Sequence, residues 1–121
     1  MGKFTVQRMK AGFKFNLKAG NGQIIASSGV YHLLEDCLAA IERVKQCAAA
    51  PIEDQTLSNV TPLPFPKFEV QHTDRGCISF FLRDSKGVVL AHGKGYTAKR
   101  SCLAGIHSIA ENAPDAPVIT G

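Results

Sequence analysis

The first residues of the chain alternate between apolar and polar. In Lys3-Phe4-Thr5-Val6-Gln7 the apolar side chains take every second place, and Phe13-Lys14-Phe15-Asn16-Leu17-Lys18 repeats the pattern. A period of two sends successive side chains to opposite faces, so both segments read as strands with one buried face. Lys10-Ala11-Gly12 supplies the turn between them, and Gly20-Asn21-Gly22 tolerates the positive φ of a tight hairpin into a third strand, Gln23 to Ser27. The period then changes. Leu34, Cys37, Leu38, Ile41, Val44 and Ala48 lie three or four apart, the stripe of an amphipathic helix.

The whole pattern occurs twice. Lys3-Phe4-x-Val6-Gln7 returns as Lys67-Phe68-x-Val70-Gln71, and Phe15, Leu17, Gly22 and Ala26 return as Phe80, Leu82, Gly87 and Ala91. Tyr31 answers Tyr96, and Cys37-Leu38-Ala39 answers Cys102-Leu103-Ala104. A collinear series of this kind is a tandem duplication. In the second copy Ile78, Phe80 and Leu82 face inward and Ser85-Lys86-Gly87 turns into a strand from Val88 to His92. A helix follows, with Thr97 suited to its N-cap and Pro114 ending it. Phe81 falls on the outward face, where it either meets the linker or marks an apolar contact surface.

A unit of three strands and one helix is marginal alone and leaves strand edges unpaired. Two copies remove both problems by joining into one sheet under a shared helical layer. The expectation is therefore an α+β fold of two β-β-β-α-β repeats in a single antiparallel sheet, with two helices on one face. Repeat one spans 1–54 and repeat two 67–121. Residues 55–66 form a Pro-rich, stiff linker. The short segments Pro51-Ile52 and Pro117-Val118-Ile119 are expected as brief edge or exchanged strands.

The run Phe15-x-Leu17-Lys18-Ala19-Gly20-Asn21-Gly22-x-Ile24-Ile25-Ala26-Ser27-Ser28, with Tyr31 and the Cys37 helix, resembles the YegP-like family of small bacterial proteins. So does the second copy, through Phe80-x-Leu82, Gly87, Tyr96, Cys102-Leu103-x-Gly105-Ile106 and Asn112-Ala113. The resemblance implies a final short strand in each repeat, exchanged between the two halves of one sheet, and a single-repeat form that dimerises. It brings no catalytic residues. The chain departs from the family pattern at Leu33-Leu34, Ala40 and Cys47, and at His92-Gly93 where copy one has Ser27-Ser28. The two halves have diverged, so a site need not be present twice.

Composition narrows the function classes. No run of apolar residues is long enough to span a bilayer, and the N-terminal Met-Gly-Lys-Phe-Thr lacks the apolar core of a signal peptide, so a cytoplasmic protein with no membrane role is expected. Cys37, Cys47, Cys77 and Cys102 have no zinc-like spacing and are expected to stay reduced, the first and last as small buried hydrophobes and Cys77 as the more exposed thiol. His32, His72, His92 and His107 form no ligand or catalytic constellation with them, and Gly20-Asn21-Gly22 precedes no helix, as a phosphate loop would. No catalytic residue, metal site or cofactor is expected.

Charge carries the remaining signal. The net charge is +4, and residues 1–34 hold Lys3, Arg8, Lys10, Lys14 and Lys18 without one acid. Lys3, Lys14 and Lys18 are expected to project from one outward sheet face, a candidate basic binding face. A candidate anion site is the start of the second helix, where Lys99-Arg100-Ser101 stands in place of the Glu35-Asp36 start of helix one and Lys94, Gly95, Thr97, Lys99 and Arg100 gather around the positive helix end. The leading reading is a non-enzymatic structural or interaction module with a protein partner. The alternative is electrostatic binding of RNA or DNA. A monomer with internal pseudo-twofold symmetry is expected.

Overall fold

A computed structural model describes residues 2–73 and 76–120. The chain-end residues 1 and 121 of the two expected repeats, and residues 74 and 75 of the turn before Cys77, lie outside the described residues. In chain order the elements are β1 (Lys3–Met9), β2 (Gly12–Lys18), β3 (Ile24–Ser27), α1 (Leu34–Cys47), β4 (Ile52–Asp54), β5 (Lys67–His72), β6 (Ile78–Arg83), β7 (Val89–Tyr96), α2 (Lys99–Asn112) and β8 (Val118–Thr120).

All eight strands join one sheet in the order β4-β5-β6-β7-β3-β2-β1-β8. Each copy contributes an antiparallel meander, and the meanders meet through β3 and β7, where Ser27 pairs with His92. Those two residues are equivalent in the duplication, so the pseudo-twofold axis passes between them. The short strands are exchanged: β4, at the end of copy one, pairs with β5, and β8 pairs with β1. Both outer pairings are parallel, so the sheet is mixed rather than antiparallel throughout.

The inward residues read from the alternation build one core. Phe4, Phe15, Leu17, Phe68, Phe80 and Leu82 are fully buried, and Cys37, Ile41, Val44, Cys102, Ile106 and Ile109 descend on them from the helices. Phe4 and Phe15 meet edge to face at 5.8 Å, and their equivalents Phe68 and Phe80 at 6.1 Å. Such pairs add about 0.5–1.5 kcal/mol beyond burial. Two expected helix details differ. Leu34 begins α1 exposed, while Ala40 joins the buried stripe. The N-cap of α2 is Ala98, with no side-chain cap, because Thr97 lies one residue too early.

Both hairpins close in the same way. Gly22 and Gly87 take positive φ of 85° and 82°, and their amides bond to the carbonyls of Ala19 and Asp84. In the second hairpin the Asp84 carboxylate also accepts from the amides of Lys86 and Val88. Tyr31 and Tyr96 pack half-buried against the core at the strand-to-helix corners, Tyr96 stacking on Phe80 at 6.1 Å.

Candidate binding face

The helices cover one side of the sheet. On the other, a single row of side chains crosses all eight strands: Ile119, Thr5, Asn16, Ser27, His92, Phe81, Glu69 and Glu53, each the register partner of the next. The duplication predicts two similar halves for this row. They are treated differently.

On the copy-two half, outward-facing Lys67, Glu69 and Glu53 are buried, at 6%, 7% and 5% exposure. The linker 55–66 lies against them. The Leu63 amide donates to Glu53 Oε1 at 2.6 Å, and the Phe65 ring sits 4.8 Å from Lys67 Nζ. Beneath it Lys67 reaches Glu53 at 2.8 Å and Glu69 at 3.6 Å, and Arg83 bonds to Glu69. Two bases and two acids therefore close a neutral network, which is the condition for keeping charges away from water. Hydrogen bonds from Lys67, then Gln55 and Leu63, pull the Glu53 carboxyl down to about 2. The linker is thus a strap as well as a spacer.

On the copy-one half the lysines stand open around a centre where Asn16 is itself buried, at 8% exposure. Lys3 stands opposite Lys18, and Gln7 opposite Lys14. Lys3 and Gln7 are exposed, Lys14 and Lys18 half-exposed. Among the described residues none of the three lysines makes an ion pair. Ser27 donates to Asn16 Oδ1 at 2.6 Å, and this pair forms the polar floor. At the boundary His92 lies against Phe81, ring centroids 6.4 Å apart. Burial, then the charges of Lys94 and Lys14, hold the His92 imidazole below its ordinary value of 6.5. Lys14 and Lys94 therefore act on one side chain from the two copies. Sequence reasoning placed Lys3, Lys14 and Lys18 on this face and missed Lys94 and His92. Their signal was available in the equivalence of Ser27 and His92.

The five residues of the candidate anion site are divided by the structure. Lys94 is exposed beside His92, and Gly95 follows it at φ 80°. Lys99 Nζ is paired with Asp54 of β4 at 2.8 Å, so the protein places its own carboxylate at the start of α2. Thr97 and Arg100 are exposed. All four cysteines are free; Cys37 and Cys102 are buried, and Cys47 is half-buried like Cys77. Burial, then the charge of Asp54, pushes the Cys102 thiol up to about 11, so it is a poor nucleophile. Among the described residues no group of three or more His, Cys, Asp or Glu side chains could hold a metal ion.

Residues 10–54 and 76–119 each match the sequence pattern of the domain of unknown function DUF1508. The chain belongs to this family. A UPF0339 protein encoded in the 5′ region of the ptx operon of Stutzerimonas stutzeri is 31% identical over 119 residues, covering 98% of this chain and 95% of that protein. A UPF0339 protein of Pseudomonas aeruginosa is 29% identical, covering 94% and 92%. A Treponema denticola relative is 42% identical over 53 residues, 44% of this chain but 91% of its own length, so the family includes members of one repeat. The solution structure of the Escherichia coli protein of unknown function yegP matches with a TM-score of 0.80 at 22% identity, covering 99% of this chain and 92% of that one. That likeness shows the fold. The relatives are described by family or as proteins of unknown function. Among the described residues no helix is long and apolar enough to cross a membrane.

Proposed function

We propose that the chain is a non-enzymatic interaction module that holds an anionic partner on the open half of its sheet. The observation that carries this reading is the unequal treatment of two equivalent surfaces. One is neutralised by Glu53 and Glu69 and strapped by the linker; the other keeps Lys3, Lys14 and Lys18 unpaired among the described residues, over a floor of hydrogen-bonding side chains. A structural spacer would have no need of that difference. Free thiols, two of them buried, fit work in the cytoplasm. The exchanged strands pair within one chain, which supports a monomer.

A second reading, nucleic-acid binding on the same face, is favoured by the Phe81 and His92 rings beside Lys14 and Lys94. A base can stack on such a ring while the lysines follow the phosphates.

The test is a binding series with labelled single-stranded RNA, single-stranded DNA and poly-glutamate at several salt concentrations. The reading expects saturable binding of a polyanion that is lost when Lys3, Lys14 and Lys18 are changed to Glu. A nucleic-acid ligand would add a salt slope of about 0.7 per phosphate neutralised. No binding of any polyanion at low salt removes the proposal.

A further inference from the structure

We infer that the open half of the sheet seats an extended acidic polypeptide segment, lying as the linker lies on the covered half. The inference rests on the preceding reading and names the partner's chemistry. The pseudo-twofold relation maps Lys67 onto Lys3, Arg83 onto Lys18 and Glu69 onto Thr5. Register maps Glu53 onto Ile119, because Glu53 pairs with Glu69 as Ile119 pairs with Thr5. Each half therefore presents two bases on adjacent strands, Lys67 opposite Arg83 and Lys3 opposite Lys18. Only the covered half has the two acids that answer them.

The occupant follows by subtraction. It must bring the two carboxylates that copy one lacks at Thr5 and Ile119, to reach Lys3 and Lys18. It must also lie extended, because every strand of this sheet except the outermost two is already paired on both sides, which leaves side chains as the contacts. The linker shows how such a segment is held. A main-chain amide, that of Leu63, meets a side-chain acceptor, and an apolar ring, Phe65, covers a lysine. On the open half Thr5, Gln7 and Ser27 offer the hydrogen-bonding groups, and Ile119, 49% exposed, offers an apolar contact where Glu53 stands in the other half. A phosphate backbone would answer the lysines too. The molecule's own example of an occupant is a polypeptide, and the face carries a ring only at its boundary.

The experiment is an amide-resolved NMR titration of the full chain with three probes: hexaglutamate, a synthetic peptide copying residues 51–66, which carries Glu53 and Asp54, and oligouridylate at the same salt. The expected result is shifts from both peptides centred on Lys3, Thr5, Asn16 and Lys18. Affinity should fall about tenfold in a Lys3→Gln, Lys18→Gln variant, as two lost exposed ion pairs predict. The neutral substitutions leave strand pairing intact, and an unchanged thermal midpoint identifies the loss as one of binding. Peptide shifts that fall elsewhere overturn the inference. Tighter binding of oligouridylate overturns it while leaving the anionic module standing. Silence from all three probes overturns both.

Discussion

Asp54 and Lys99 meet at 2.8 Å across the boundary between the two copies. Asp54 ends the strand that copy one donates to copy two, and Lys99 opens the helix of copy two, so their contact pins the exchanged strand. Burial works against the Asp54 charge, but hydrogen bonds from Lys99 and Thr56 outweigh it and hold the carboxyl below its ordinary 3.8. The equivalent place in the other half has no such pair: Thr120 and Leu34 line an open cavity of about 260 Å3 with Val6, Arg8 and Phe13. Both partners are partly exposed, so the pair is worth about 0.2–1 kcal/mol. Urea unfolding of Asp54→Asn, Lys99→Met and the double variant should return a coupling energy in that range that shrinks in high salt. A coupling indistinguishable from zero at low salt would mean that β4 is held by backbone pairing alone.

The network beneath the strap sets an acid limit. A carboxyl whose folded value lies below its unfolded one adds stability that is complete above the unfolded value and lost as pH falls through the folded one. For Glu53 that window runs from about 4.5 down to about 2. Stability should therefore decline steeply across it, and Glu53→Gln should flatten the decline. The same variant should be less stable at pH 6, because it leaves Lys67 buried with Glu69 already shared with Arg83. Urea midpoints at pH 6, 4.5 and 3 check both statements. A variant with the parent's slope would show that other acids set the limit.

Much of this architecture is legible in the sequence because it is local. Alternation at Phe4, Val6, Phe15 and Leu17 reports a half-buried strand wherever the strand ends up, and the matching of Tyr31 with Tyr96 reports the duplication. Other features depend on how the copies meet. Three residues in β4 or β8 carry no record of direction, so the parallel edges were not readable. Lys67 and Glu69 fall on the outward face by their position in the alternation. Their burial comes from a linker that the prolines alone describe only as stiff. The signal that could have found the strap was the pairing of Leu63 and Phe65 in that linker with acids present at Glu53 and Glu69 and absent from the matching places in copy one. The open face was partly legible for the same reason: Lys3, Lys14 and Lys18 lie on one meander, whereas Lys94 and His92 arrive from the other.

His92 reports on that face. Burial and two lysines from different copies lower its affinity for a proton, so it is neutral at pH 7. Replacing Lys14 by Gln should raise its titration midpoint, and Lys94→Gln should do the same. An anionic ligand should raise it further, so ligand binding takes up protons and tightens as the pH falls through the His92 range. Imidazole NMR signals followed from pH 8 to pH 5 give all three midpoints. A midpoint unmoved by Lys14→Gln would separate β2 from the His92 environment and shrink the proposed face.

The divergence between the copies has a steric side at Gly93, which stands where copy one has Ser28. The Ser28 hydroxyl accepts from the Phe15 amide at 2.9 Å and donates to the Gly29 carbonyl at 2.7 Å. At Gly93 the Phe80 ring takes that space: a Cβ built there would stand 2.3 Å from Phe80 Cε2. Phe80 also packs on Phe68 and Tyr96, so it cannot swing aside without disturbing both. Gly93→Ala should therefore destabilise the protein by about 1–3 kcal/mol, the usual range for overpacking a filled core. Ser28→Ala should cost about 0.5–1.5 kcal/mol through the lost hydrogen bond. The two arise differently, and a second substitution tells them apart. Phe80→Leu should recover part of the Gly93→Ala loss by opening room, and should recover none of the Ser28→Ala loss. Thermal or urea midpoints of the three single variants and the two doubles decide the matter, with recovery judged against Phe80→Leu alone, and a Gly93→Ala protein as stable as the parent would show that the ring has somewhere else to go.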